Sequence, residues 1–269
     1  MGVCKGNVGN IMQHWVLTEV LNRVHLQGKR WLHLVCTNSM APASWPEQPG
    51  GQTRPRFEKV RLSLSPFSVT TYQRAWCAIS PAGALLYPSS AAFAAFLWPG
   101  KLRLTLCETN PGAIGELTMW VNALQVQRRA PGSMVHPRDW RTLFNSGIPN
   151  LGEDVTLIEV DPYRFEHNGA VAFDPAALFP SDLATLTAPF AAQNRLVIFQ
   201  ISSYSANNKN PHTITQSAIC DALNAAGFTL TGDVRANGDM ISLVFTNGSV
   251  LWPNAVDANT EFHAWLNSV

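Results

Sequence analysis

Charge is scarce in this chain. Only 14% of its 269 residues are Asp, Glu, Lys or Arg, and the formal net charge is +1; ordinary globular domains carry about a quarter. A protein that grips nucleic acid by neutralising phosphates usually has a basic surface, and nothing global supplies one. The nearest approach is local: Arg54, Arg56, Lys59 and Arg61 lie close together, and Arg128 adjoins Arg129. Solvated loops look the same. Cysteine is also sparse. Cys4, Cys36, Cys77, Cys107 and Cys220 are odd in number and widely spaced. Without a Cys-x-x-Cys pair, neither a zinc site nor a redox motif is indicated, and a reducing compartment is the natural setting. The chain shows no charged-then-apolar leader and no run of about 18 apolar residues, so no signal peptide or membrane span is expected, and a cytoplasmic location is. The hydrolase Gly-x-Ser-x-Gly, the zinc-protease His-Glu-x-x-His and the Walker sequence are absent, so those readings have no starting point.

What is present is apolar material. The hydrophobic fraction of 46% supplies ample core, and the length suits one large α/β domain or two small ones. Residues 8–25 place Val8, Ile11, Met12, Trp15, Val16, Val20, Leu21 and Val24 three and four apart, which predicts a helix. Short apolar runs at 31–36, 102–107, 155–160 and 195–201 read as buried strands. Helices are expected after Ser89 and Ser90, over 110–124, over 136–144, over 180–192, and over 213–226 with Gly227 as its stop. Residues 38–58 read as loop, 60–80 are ambiguous, and 125–134 read as a returning strand and loop. The runs 229–234 and 240–245 suggest a terminal antiparallel pair. Alternating strands and helices predict a mostly parallel sheet covered on both faces.

In such a sheet, ligands bind beyond the carboxyl ends of the strands, where the strand order reverses. Thr37, Asn38, Ser39, Met40, Ala41 and Pro42 follow the first strand. A nucleotide cofactor usually asks for glycine there, because backbone must approach closely, and none occurs before Gly50. Glu108 follows the second strand; it can accept from both hydroxyls of a ribose or simply favour the dipole of the next helix. Asp161, Pro162 and Tyr163 follow a later strand. An acid and an aromatic so placed can hold an amine and stack a planar base, and they can equally form an ordinary turn. His14 lies on the first helix, where a structural histidine is the commoner case. His167 and His212 carry no pattern.

These signals occur in an order that resembles a known family. Gly6, Asn7, Val8, Gly9, Asn10, Ile11, Met12, Gln13 and His14 resemble its N-terminal signature. Leu86, Tyr87, Pro88, Ser89 and Ser90 resemble its Tyr-Pro-Gly-Ser-Pro element. Leu102 through Glu108 to Pro111 resemble its second strand with the acid in place, and Asp161-Pro162-Tyr163 resembles its Asp-Pro-Pro-Tyr motif. The likeness continues to Gly238 and Trp252, and the family it resembles is the bacterial S-adenosylmethionine-dependent methyltransferases acting on an adenine N6 amine of 23S ribosomal RNA. It implies a Rossmann-like class I methyltransferase fold forming one domain over 1–269, with a small helical insertion within 40–85. It implies that His14, Asn38, Ser90 and Glu108 contact S-adenosylmethionine, with Asp139 near the cofactor's adenine, and that Asp161 and Tyr163 hold the target. No metal is implied. RNA or a protein is the implied partner. The chain departs from the family after the first strand, where acid, histidine and both glycines of Asp-Thr-His-Ala-Gly-Ala-Gly are missing, and at Gln13, where the family has lysine. One proline, not two, follows Asp161. A catalytically silent scaffold, or a methyltransferase for a substrate other than nucleic acid, are the rival expectations.

Overall fold

A computed structural model describes residues 8–39, 41–44, 54–80, 86–161, 164–165, 177–178, 180–190, 193–204, 216–236 and 240–269. Helix α1 (Val8–Leu26) precedes strand β1 (Trp31–Cys36). Two-residue strands β2 (Ala43–Ser44) and β3 (Tyr87–Pro88) pair with each other, and between them run α2 (Arg54–Leu62) and α3 (Thr71–Ile79). Then α4 (Ser90–Leu97), β4 (Lys101–Cys107), α5 (Pro111–Val126), β5 (Met134–His136), α6 (Trp140–Ser146) and β6 (Val155–Val160) follow. Short β7 (Arg164–Phe165) and β8 (Ala177–Leu178) pair in parallel before α7 (Pro180–Thr187), which passes into a 3-10 turn at Ala188–Phe190. The chain closes with β9 (Leu196–Tyr204), α8 (Gln216–Ala225), β10 (Thr229–Ala236), β11 (Met240–Thr246) and α9 (Asp257–Ser268).

Seven strands form one sheet in the order β10-β11-β9-β6-β1-β4-β5. From β9 to β5 every pairing is parallel, while β11 is antiparallel to both β9 and β10. This is the Rossmann-like class I methyltransferase fold, with its reversed strand one in from the edge. The order switches at β1: the chain moves to β4 on one side and later returns to β6 on the other, leaving a crevice between the tips of β1 and β6.

Side-chain alternation sorts the sheet residues between two cores. Leu32, Leu34 and Cys36 of β1 and Val155 and Leu157 of β6 join α1, α3, α4, α5 and α9 on one face. Val35, Ile158, Val160, Val197, Phe199 and Ile201 join α6, α7 and α8 on the other. The same alternation sends Glu159, two residues beyond Leu157, towards α1.

Several local expectations change. Helix α2 begins inside the stretch read as loop, because Arg-Pro-Arg-Phe-Glu-Lys-Val-Arg-Leu is too polar to show helical spacing. Helix α3 resolves the ambiguous span, with Thr70 capping its start through Gln73 N. Helix α5 runs on to Val126, so the returning strand is the later, shorter β5. Strand β9 continues to Tyr204, past the 195–201 run expected. Helix α9, not expected at all, buries Ala258, Phe262, Trp265 and Leu266. Gly227 ends its helix in the left-handed region at φ 88°. Among the described residues no helix is long and apolar enough to cross a membrane.

At the amino ends of the strands sits a buried ionic cluster. Arg103 Nε lies 2.6 Å from Glu153 Oε1, and Arg195 Nη1 donates to Glu153 Oε2 at 3.0 Å. Arg103 Nη2 donates to His33 Nδ1 at 2.7 Å, and His33 Nε2 meets Thr105 Oγ1 at 2.9 Å. Burial, then Arg103 and Arg195, hold His33 well below its usual value, so it stays neutral. Glu153→Gln strands two buried guanidinium groups. The expected loss is about 3–5 kcal/mol of unfolding free energy, read by urea denaturation.

Candidate functional site

The crevice is built from four segments. Asn10, Gln13 and His14 stand three and four apart on α1 and so share one side of it. Cys36, Asn38 and Ser39 come from the tip of β1. Tyr87 to Ala91 come from β3 and the start of α4, and Glu159 and Asp161 from the end of β6. Together they line a narrow cleft that opens to solvent.

Local sequence explains each placement. Ser89 caps α4 by accepting from Ala92 N, and its own N–H donates to Pro42 O at 3.0 Å, which fixes Ser90 at the helix start. Tyr87 is wedged by Trp76, edge-on at 4.8 Å between centroids, and its hydroxyl lies 2.8 Å from Asn10 O. The loop after β1 continues the sheet's ladder: Thr37 N donates to Glu159 O at 3.0 Å and Ser39 N to Cys107 O at 2.7 Å. Asn38 Nδ2 donates to Asp161 O at 2.9 Å, fixing the backbone that carries that acid.

The cleft's polar centre is the Glu159 carboxylate. Strand register sets Glu159 directly beside Cys36 of β1 and Gln200 of β9. Gln13 Nε2 and Ser90 Oγ each lie 2.5 Å from Glu159 Oε1 as donors. Burial raises the Glu159 carboxyl above the ordinary glutamate value, opposed by hydrogen bonds from Ser90, Cys36 and Gln13. Half-buried Asp161 is pushed up to about 7 by burial and then by Glu159, with a hydrogen bond from Gln13 working the other way. One neutral amide thus bridges two acids where the resembled family has a lysine. His14 meets Tyr87 Oη through Nδ1 at 2.8 Å and Ser90 Oγ through Nε2 at 2.9 Å. Burial drops it to about 3, so the ring is neutral. Among the described lining residues none carries a positive charge.

Four residues singled out from sequence therefore meet here: His14, Asn38, Ser90 and Asp161. Glu108 and Asp139 do not line the cleft. Glu108 stands at the end of β4, where its Oε1 accepts from Thr109 N and Asn110 N at 2.7 Å each. Asp139 caps α6 through Arg141 N and holds the Arg141 guanidinium, which also grips Asp182. Tyr163, Pro162, Met40, Gly6, Asn7, Cys4, His167, His212 and Gly238 lie outside the described residues. Glu159, Tyr87 and Gln13 were not among the site residues expected from sequence. The signal for Glu159 was there: it is the one acid in the apolar run Val-Thr-Leu-Ile-Glu-Val. Among the described residues, no group of His, Cys, Asp and Glu is placed to hold a metal ion.

Comparison with protein-family models gives no match, and comparison with curated proteins gives none either. Solved structures do match. A Legionella pneumophila protein of family DUF519 superposes with TM-score 0.60 at 16% identity, over 98% of this chain and 92% of that one. A putative rRNA methylase from Clostridium thermocellum matches with TM-score 0.42 at 9% identity, over 85% and 96%. Mitomycin 7-O-methyltransferase matches with TM-score 0.41 at 14% identity, over 88% of this chain and 55% of that one. Of these three, the first superposes closely enough to indicate a shared fold, and at its identity it indicates fold alone.

The acid pair has a consequence for stability. Asp161 binds its proton more tightly folded, with a value of about 7, than unfolded, near 3.9. Its contribution is therefore full below about pH 4 and is lost as pH rises through about 7. Asp161→Asn is expected to be more stable than the wild type at pH 8 by on the order of 1–2 kcal/mol, and no more stable at pH 4. Urea unfolding at both pH values checks this.

Proposed function

We propose that this chain binds S-adenosylmethionine in the cleft between β1 and β6 and directs its methyl group to an amine, an adenine of RNA being the acceptor class the sequence resemblance favours. The observation that carries the reading is the pair Glu159 and Asp161, bridged by Gln13, at the switch point of a sheet of this fold. A cleft with two carboxylates and no cation among its described lining suits a ligand bearing positive charge, as this cofactor's ammonium and sulfonium do. The residues fit the group at that end.

The cofactor supplies a methyl group already activated on sulfur. The protein's task is to align an acceptor with it and to manage a proton. Asp161 accepts a hydrogen bond from the acceptor amine and takes its proton; an acid with a value of about 7 is poised to do so near neutrality. Asn38 holds the Asp161 backbone still. Tyr163 is assigned to stacking on the planar acceptor. His14, Asn38 and Ser90 form the wall facing the cofactor, and Glu108, beyond the cleft's lining at the tip of neighbouring β4, is assigned to its ribose, which would have to reach past the cleft to meet it. Asp139 is the least available of the set, since Arg141 occupies both its oxygens.

A second reading, a protein that binds without transferring, is favoured by one feature. Thr37 N and Ser39 N are spent on sheet carbonyls, whereas phosphate- and nucleotide-binding loops aim such groups at the ligand. A substrate other than nucleic acid is favoured by the net charge of +1.

Calorimetric titration with S-adenosylmethionine separates these. Binding at micromolar levels is expected, and its absence at about millimolar ligand, weaker than about −4 kcal/mol, removes the enzyme reading. Glu108→Ala is expected to weaken binding about tenfold or more, about 1.4 kcal/mol. Asp161→Asn is expected to bind cofactor within a few-fold of wild type and to lose about 10²–10⁴ in transfer rate to an RNA acceptor. RNA affinity that falls steeply with salt supports the nucleic-acid acceptor.

A further inference from the structure

The contacts around His14 form an unbroken chain of groups that each have a single proton to give. Ser90 Oγ stands between His14 Nε2 at 2.9 Å and Glu159 Oε1 at 2.5 Å. Tyr87 Oη stands between His14 Nδ1 at 2.8 Å and Asn10 O at 2.8 Å. A hydroxyl gives one proton, and a neutral imidazole has one N–H and one bare nitrogen. The direction of one bond in such a chain therefore dictates the direction of the next.

The chain can run in either of two directions, and these differ at Asn10 O as well as at His14. With Glu159 ionised, Ser90 donates to Glu159 and accepts from His14 Nε2–H, and Tyr87 turns its proton from Asn10 O to the bare Nδ1. With Glu159 protonated, its hydroxyl donates to Ser90, Ser90 donates to the bare Nε2, His14 Nδ1–H donates to Tyr87, and Tyr87 donates to Asn10 O. In both, Gln13 Nε2 donates to Glu159 Oε1, and Tyr72 Oη, 3.1 Å away, can donate to Tyr87. We propose that Glu159 is a proton store beside Asp161, and that Ser90 relays its state to His14, so that His14 carries its proton on Nδ1 when Glu159 is protonated and on Nε2 when Glu159 is ionised.

The surroundings leave the switch to the acid pair. Gln13 and His14 face Glu159 from α1, Cys36 from β1, Ser90 from α4 and Gln200 from β9, with Asp161 on its own strand and Tyr87 and Tyr72 behind His14. None of these carries positive charge. Burial and then Glu159 hold the Cys36 thiol well above its usual value, and burial does the same for both phenols, so these stay protonated. Burial keeps His14 from becoming a cation. Asp161 and Glu159 remain, and two acids bridged by one amide do not readily ionise together. In the methyl-transfer reading the store has a use. The acceptor's lone pair forms the N–C bond, the S–C pair stays on sulfur, and the amine's proton passes to the acid pair. That use rests on the proposed function; the relay does not, and it is measurable with no cofactor present.

The test is nitrogen-15 NMR of the ligand-free full chain with labelled histidine, from about pH 5 to about pH 9. The His14 ring nitrogens should exchange their pyrrole-like and pyridine-like shifts as pH rises, with the midpoint of the Glu159 carboxyl carbon titration. Glu159→Gln, which cannot ionise, should hold His14 in one tautomer at every pH. Ser90→Ala should leave Glu159 titrating while the His14 shifts cease to follow. A wild-type His14 that keeps one form across the range, or that becomes an imidazolium instead, overturns the proposal. So does a switch that persists in Ser90→Ala. Failure to bind S-adenosylmethionine alters none of these readings.

Discussion

A carboxylate placed under a helix must be solvated by the protein, because water no longer does it. Glu159 imposes that demand, and the cleft is arranged around the answer. Gln13 and Ser90 converge on one oxygen, which ties α1 and α4 to the end of β6. His14 and Tyr87 then follow, because each hydroxyl or ring nitrogen recruited to the acid needs a partner of its own. The polar row continues sideways along the sheet, where Gln200 donates to Gln13 O at 2.7 Å and Ser202 meets Ser242 at 2.8 Å.

The two ends of the sheet solve the problem of buried charge differently. At the amino ends, Glu153 is matched by Arg103 and Arg195. A pairing of that kind needs nothing from outside, which marks a structural cluster. At the carboxyl ends, two acids share neutral donors and no described cation. That site stays electrically incomplete until a proton or a cationic ligand arrives. Perturbed groups left incomplete in a crevice are where function concentrates.

Much of the architecture was legible in the sequence. The three-and-four spacing of 8–25 gave α1, and the apolar runs gave β1, β4, β6 and β9 because central parallel strands are buried on both faces. Short or polar elements were not legible: β5 is three residues at the edge, and α2 has too few apolar positions to show a period. Helix α9 did carry a signal, since Ala258, Phe262, Trp265 and Leu266 stand four, seven and eight apart. Of the residues the resemblance singled out, His14, Asn38, Ser90 and Asp161 line the cleft. Glu159 was passed over, because a lone acid in a strand shows its meaning only once alternation and register fix the side it faces. Gln13, read from sequence as a lost lysine, turns out to be the group that joins two carboxylates.

Helix α1 is buried nearly all round, its apolar share being Ile11, Met12, Trp15, Val16, Leu17, Val20, Leu21 and Val24. Its cover comes from far along the chain: it packs against β10, β11 and α9 as well as α3 and α4, and Trp15 stacks on Trp265 at 6.2 Å. During synthesis on the ribosome this greasy cylinder emerges long before the strands that hide it. Contacts so distant in sequence slow folding, and uncovered apolar surface invites misassociation meanwhile. The arrangement that buries the cleft's wall so thoroughly thus leaves that helix without cover until the last strands arrive.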